Sequence, residues 1–241
     1  MIKYLLLLMS FAFCKTTFSQ SLTGKQLLEK AIAYHDPNNN WKTFNGSLFI
    51  TMEIPESSNR DSEIIINLPD EYFYVKAIRD TITTEYILNK SDCQIKLNGE
   101  AYLSDEVKKS HKLSCERANL YKNYYTYLYG LPMKLNDPGT IVHEPVQRKK
   151  FKGKDYLVLK VSYPKDFGSD IWYFYFNPKT YAMEIYQFFK TDENGIMKDD
   201  SGEYILLSGE EILNGIKMPK NRAWYYNKND ELLGTDILKV K

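Results

Sequence analysis

Histidine is scarce in this chain: only His35, His111 and His143 occur in 241 residues, and no two stand three or four positions apart. That spacing excludes the helical His-x-x-x-His ligand pattern, and Asp36 and Glu144 beside two of them read as turn and strand-edge neighbours, so no metal site is expected. No glycine-rich loop precedes a helix, and nothing around Ser201-Gly202 or Ser208-Gly209 resembles a nucleophile elbow. Nucleotide-binding and serine-hydrolase chemistry therefore lack a motif. The acids Asp192, Glu193, Asp199 and Asp200 miss the spacing of a helix-flanked calcium loop and read as a solvated hairpin tip. No catalytic residue and no cofactor is assigned. An excess of one charge is missing too: 32 Lys and Arg face 31 Asp and Glu, which leaves no basic footprint for nucleic acid.

Long apolar runs are equally absent, and no segment is long enough to form a transmembrane span. The best candidate, Tyr4 to Cys14, follows Lys3 and precedes Thr17-Phe18-Ser19, the arrangement of an export signal. Residues 1–19 are expected to be cleaved, leaving Gln20 as the first residue of a single β-rich domain over 20–241, in the periplasm of a Gram-negative cell. Cleavage removes Lys3 and Lys15 and no acid, so 30 basic groups face 31 acidic ones. A lipid anchor at Cys14 is disfavoured because bulky Phe13 stands where signal peptidase needs a small residue. Cys93 and Cys115 remain as an even pair in an exported chain, which favours a disulfide over two buried thiols.

Aromatic residues are plentiful, with 20 Tyr and 12 Phe, a composition suited to strands and to apolar clefts with wet rims. Thr23-Gly24-Lys25-Gln26 matches a capping box, after which Leu27, Leu28, Ala31 and Ile32 share a helix face until Asp36-Pro37. Strand patterns follow at Ser47–Ile54, Glu63–Leu68, Glu71–Arg79, Ile82–Leu88 and Gln94–Leu97. Ser104-Asp105-Glu106 opens a helical region carrying Val107, Cys115, Ala118, Tyr121, Tyr125 and Leu128. It stops at Tyr129-Gly130-Leu131-Pro132, where Gly130 is expected to be left-handed. Between this stop and the Asp137-Pro138-Gly139 turn, Leu131, Met133 and Leu135 form an apolar tether across the sheet: either a packed connector or a movable lid.

From Thr140 onward, turns at Gly153-Lys154, Asn177–Thr180, Asn194-Gly195, Asn214-Gly215 and Lys228–Asp230 separate β-rich runs, so neighbouring strands should be antiparallel. Ile171 to Phe176 places Trp172, Phe174 and Phe176 on one face and Ile171, Tyr173 and Tyr175 on the other, so both faces need cover or a ligand. Trp172, Phe174, Phe176, Phe188 and Trp224 are the candidate lining of a concave slot for acyl chains. The alternative is that the helices fill that face and these residues are core.

The order of helix, strands, a helix ending in YLYGLPMKLNDPGT, then WYFYFNPKTYAMEIYQFF and GEEILNGIKMPKNRAWYYN, resembles a family of uncharacterised exported Bacteroidetes proteins. More distantly it is similar to the LolA and LolB superfamily of lipoprotein carriers and receptors. The resemblance implies an α+β fold, a curved antiparallel sheet of about 11 strands forming an incomplete barrel, with helices packed on its concave face. It also implies a non-enzymatic binder of a lipid, a lipoprotein acyl chain or another hydrophobic ligand in the cell envelope. Two other readings stay open: a module that holds an envelope protein partner without a small ligand, and a hydrolase whose site carries no recognisable motif.

Overall fold

Thr23 begins the first helix as its spacing predicts. Its hydroxyl accepts from the Gln26 amide at 3.2 Å while Gln26 Oε1 accepts from the Thr23 amide at 3.0 Å, satisfying two amides that a helix start leaves free. The computed structural model describes residues 22–164 and 168–239, so the expected export signal and Cys14 lie outside the described residues. Helix α1 (Gly24–His35) buries Leu27, Leu28 and Ala31. Beyond it the Asp36 carboxylate accepts from the amides of Asn40 at 2.7 Å and Trp41 at 2.8 Å. This fixes a 3-10 turn, Asn40–Thr43, that buries Trp41.

Five strands follow as a meander: β1 (Asn45–Glu53), β2 (Arg60–Asn67), β3 (Tyr72–Arg79), β4 (Ile82–Asn89) and β5 (Asp92–Leu97). Next come α2 (Asp105–Ser110), α3 (Cys115–Tyr129) and a second 3-10 turn, Met133–Asn136. The chain then returns through β6 (Ile141–Val142), β7 (Gln147–Phe151), β8 (Lys154–Ser162), β9 (Ile171–Phe176), β10 (Met183–Phe189), β11 (Glu203–Leu213), β12 (Ile216–Tyr226) and β13 (Leu232–Lys239). All thirteen strands among the described residues join one curved sheet in the order β5-β4-β3-β2-β1-β13-β12-β11-β10-β9-β8-β6, with β7 also on β8, and every pair is antiparallel. The first and last strands pair in mid-sheet, so β5 and the β6 side are left as edges. The chain between those edges has to cross a face, and α2, α3 and the second 3-10 turn are that crossing.

The expected architecture holds, with three differences. The sheet has thirteen strands instead of about 11 because β6 is only two residues long and β7 reads Gln-Arg-Lys-Lys-Phe, a basic edge strand without apolar alternation. The helical region is two helices: Ser114 Oγ accepts from the Arg117 amide at 3.2 Å, so α3 has its own cap and starts at Cys115. Gly130 is not left-handed; its φ is −88° and its ψ is −2°. Close approach requires glycine there, since a Cβ would lie 2.5 Å from Trp41 Cε2 and 2.6 Å from Lys134 Cγ. The turn signals were mostly local and correct. Asn214 and Gly215 both have positive φ, and Leu213 pairs with Ile216 across a two-residue turn. Asn194-Gly195, by contrast, caps a small turn bridged by Thr191 and Met197 inside the long β10–β11 connection.

One sheet face carries the main core, from Leu48, Ile64 and Phe73 through Leu159, Phe174 and Ile205 to Leu238, under α1 and α3. On the other face Tyr156, Val158, Tyr173, Tyr175 and Ile185 form a second cluster, covered by Phe151 of β7 and by Met197. Both faces of β9 therefore find cover within the chain.

Two covalent or polar ties hold the helices. Cys93 on β5 is bonded to Cys115, the first residue of α3, 22 positions away. His35 at the end of α1 spans two strands: its Nδ1–H donates to the Lys217 carbonyl at 2.8 Å and its Nε2 accepts the Met183 amide at 2.9 Å. Burial lowers the His35 pKa, so the folded protein holds the neutral ring. Replacing both cysteines by serine is expected to lower stability by about 3 kcal/mol; urea titration measures it, and an unchanged midpoint would remove the disulfide from the account. For His35, the unfolded chain takes a proton near pH 6.5 that the fold refuses. This contribution is complete above that pH and is lost as pH falls toward the lower folded value. The gap in urea midpoint between parent and His35→Gln should therefore narrow on acidification from pH 7.5 to 5.5, and a constant gap would contradict the neutral ring.

Candidate functional site

Helix α3 carries tyrosines at 121, 124, 125, 127 and 129, and their 3.6-residue rotation sends them to different places beneath and beside the helix. Tyr125 and Tyr129 point into the sheet and are buried. Tyr124 stacks on Trp224 with ring centroids 6.2 Å apart, Trp224 meets Tyr186 edge-on at 6.0 Å, and Tyr186 meets Trp172 at 6.5 Å. Trp172 in turn meets Tyr127 at 5.9 Å and stacks on Phe188 at 4.8 Å. A continuous aromatic layer thus runs under α3 from one side to the other.

A buried arginine and a neighbouring carboxyl group sit inside this layer. Arg222 is 1% exposed, its guanidinium lies 3.8 Å over the Tyr129 ring, and it donates to the carbonyls of Pro219 at 3.1 Å and Leu128 at 3.5 Å. Asp236 is its cross-strand neighbour and accepts from Trp224 Nε1 at 3.2 Å. Burial raises the Asp236 pKa, and the nearby Arg222 and Arg60 oppose that rise. The pair fixes α3 through the Leu128 carbonyl and orients the Trp224 indole.

Beside the layer, between the C-terminal half of α3 and the start of β9, lies a cavity of about 570 Å³. Its apolar wall is Trp172, Tyr127 and Tyr163; its rim is Lys134, Asp137 and Asp170. The Tyr127 and Tyr163 hydroxyls are 2.7 Å apart. Burial pushes both their pKa values up, so both stay protonated near neutrality and serve as hydrogen-bonding groups. Burial also raises the Asp170 carboxyl. Lys134 and Asp137 form an ion pair within the connector, at the edge of the cavity. An aromatic wall with a few polar groups at its edge is the usual build of a small-ligand pocket.

The candidate residues separate into two groups. Trp172, Phe188 and Trp224 are half-buried, and Trp172 lines the cavity. Phe174 and Phe176 lie on the same face but are fully buried, because α1, α3 and the connector pack over them. Leu131, Met133 and Leu135 are buried as well, Met133 and Leu135 in the second 3-10 turn and Leu131 just before it. Sequence reasoning missed Tyr127, Tyr163 and Asp170 at the cavity. The i, i+3 step from Tyr124 to Tyr127 was a signal for a second aromatic face on α3. Nothing in the sequence pairs Arg222 with Asp236, since only strand register brings them together.

An unclosed antiparallel sheet whose face is bridged by a tyrosine-rich helix, with an aromatic cavity at the helix's side, defines a class of half-barrel protein. A family model described as "Family of unknown function (DUF6503)" matches residues 2–239, and the chain belongs to that family. Among solved structures it is similar to LolA superfamily protein NE2245 from Nitrosomonas europaea, at 10% identity over 91% of this chain and 93% of that chain, with a TM-score of 0.49. It is also similar to a DUF1329 family protein from Desulfovibrio piger, at 10% identity over 89% and 90%, with a TM-score of 0.46. MucB, solved in complex with MucA(peri), shares 9% identity over 89% and 92%, with a TM-score of 0.25. No curated protein matches the chain.

The buried pair gives this region a measurable signature. Asp236→Ala removes the carboxyl group beside Arg222 and the acceptor of the Trp224 indole, and is expected to cost about 1–3 kcal/mol in urea unfolding. A loss below about 1 kcal/mol would mean that carbonyl contacts alone hold Arg222.

Proposed function

We propose that this protein is an exported, non-enzymatic binder of a hydrophobic ligand, a lipid or lipoprotein acyl chain in the cell envelope. The cavity beside Trp172 carries this reading: it is lined by aromatic rings, edged by polar groups and placed between α3 and the start of β9. Trp172 supplies the contact surface with Tyr127 and Tyr163, Phe188 stacks on Trp172, Trp224 continues the aromatic layer under α3, and Phe174 and Phe176 stand buried on the same strand face. The Cys93–Cys115 bond suits an oxidising compartment.

The connector is the lid in this reading. Complete release of Leu131, Met133 and Leu135 would expose three buried side chains at about 1.5–3 kcal/mol each, comparable to the whole binding energy of a micromolar ligand. Opening is therefore confined to the side chains at the edge of the cavity, Lys134, Asp137 and Asp170, and leaves the core packed.

Protein purified from an oxidising compartment is expected to carry an adduct of lipid or acyl mass in native mass spectrometry, released on denaturation. Trp172→Ala should weaken binding of a neutral apolar probe, N-phenyl-1-naphthylamine, by about tenfold while circular dichroism stays parental. A clean apo mass together with equal probe binding by parent and variant would overturn the reading and direct the search to protein partners.

A further inference from the structure

On the opposite side of α3 from Trp172, the N-terminal half of the helix faces the ends of β2, β3 and β4 across two adjoining cavities of about 300 and 360 Å³. Both have Arg60, Arg117 and Tyr121 in their walls, and the first adds Arg79 and His111. Register explains how the arginines meet. Asp61 pairs with Ile78, so Arg60 and Arg79, one residue outward on each strand, come together at the strand ends. Like charges at facing positions are destabilising unless something of opposite sign joins them.

Among the described residues no carboxylate forms an ion pair with either arginine, although Asp236 is near enough to Arg60 to interact with its charge. The ion pairs among the described residues are all made by lysines. Arg60 donates to the Tyr125 hydroxyl at 3.2 Å and Arg117 to the Tyr121 hydroxyl at 3.5 Å, both neutral partners. The Nε–H groups of Arg60 and Arg79 are buried and donate to nothing among the described residues. Asp80 stands in the wall, its carboxylate accepting from Ser58 Oγ at 2.9 Å, and Asp236 lies behind Arg60 in the core. Three guanidiniums therefore face a cleft with one carboxylate on its wall.

Exposed apolar side chains adjoin these groups. Met52, Leu120 and Tyr124 line the outer cavity, with Leu120 67% exposed and Tyr124 37% exposed, and Ile82 at the inner one is 37% exposed. A guanidinium cluster beside exposed hydrophobic side chains matches a molecule with an anionic oxygen head and an apolar tail. We propose that this cleft binds the phosphate or carboxylate head of an anionic amphiphile, held by Arg60, Arg79 and Arg117, with the chain lying over Met52, Leu120 and Tyr124. The tail rests on the hydrophobic-ligand reading above; the head does not.

Titration calorimetry on the disulfide-intact protein tests this with dodecyl phosphate, laurate, the neutral dodecyl maltoside and inorganic phosphate, against the parent, Arg79→Gln, Arg117→Gln and Trp172→Ala. The expected result is that dodecyl phosphate or laurate binds at least tenfold tighter than dodecyl maltoside. That preference should weaken with added salt, disappear in the two arginine variants and survive in Trp172→Ala. Arg117 sits on a solvent-facing helix turn, so its variant folds even if Arg79→Gln does not. Arg79→Gln should also unfold at the same or a higher temperature than the ligand-free parent, because it removes a like-charge contact. Equal binding of charged and neutral amphiphiles overturns the anionic head while leaving the hydrophobic reading intact. Inorganic phosphate binding as tightly as dodecyl phosphate, with the same arginine dependence, overturns the amphiphile and assigns a free-anion site. Binding of none of the four overturns both.

Discussion

The constraint on which the rest depends is the crossing of α3 over the sheet. Because β1 and β13 pair in the middle of the sheet, the two halves of the chain end at opposite edges, and the link between them must pass over one face. A helix in that position has to bury its inner side on the sheet while both ends are held. The Cys93–Cys115 bond holds the start. At the other end Gly130 lets Trp41 pack against the helix terminus, and Arg222 takes the Leu128 carbonyl.

A helix wide enough to bridge the sheet is too narrow to cover it, which is why cavities lie along both of its flanks. The side chains between those flanks are mainly aromatic with polar tips. Tyrosine fills the space beneath α3 as phenylalanine would, and two of the hydroxyls there find polar partners: Tyr125 meets Arg60 and Tyr127 meets Tyr163. The two flanks differ in chemistry because different strand ends reach them. Arg60 and Arg79 come to one through the β2–β3 register, and Trp172 and Phe188 come to the other through β9 and β10.

Where an element is specified by adjacent residues, the sequence was readable. The Thr23 capping box, the Asn214-Gly215 turn and the alternation of β1 to β4 each appear as expected, because a cap, a turn and a strand face are decided within a few residues. β6 escaped because two residues carry no periodicity, β7 shows no apolar alternation because its own side chains are mostly basic, and the break between α2 and α3 escaped because Ser114 caps within an apolar spacing that runs through it. Gly130 shows the limit best. Its place after a helix pointed to left-handed backbone, yet its role is to leave room for Trp41, a residue 89 positions earlier in the chain.

The site divides in the same way. Alternation placed Trp172, Phe174 and Phe176 on one face of one strand, and the even cysteine pair pointed to a disulfide; these follow from residue spacing and type alone. Which of those aromatics meets a cavity was decided by α3 and the connector, whose packing covers Phe174 and Phe176 and leaves Trp172 at the edge. The meetings of Arg222 with Asp236 and of Arg60 with Arg79 were likewise decided only in the fold. Strand register sets them, and register is fixed by burial of the whole sheet face rather than by any local run of residues.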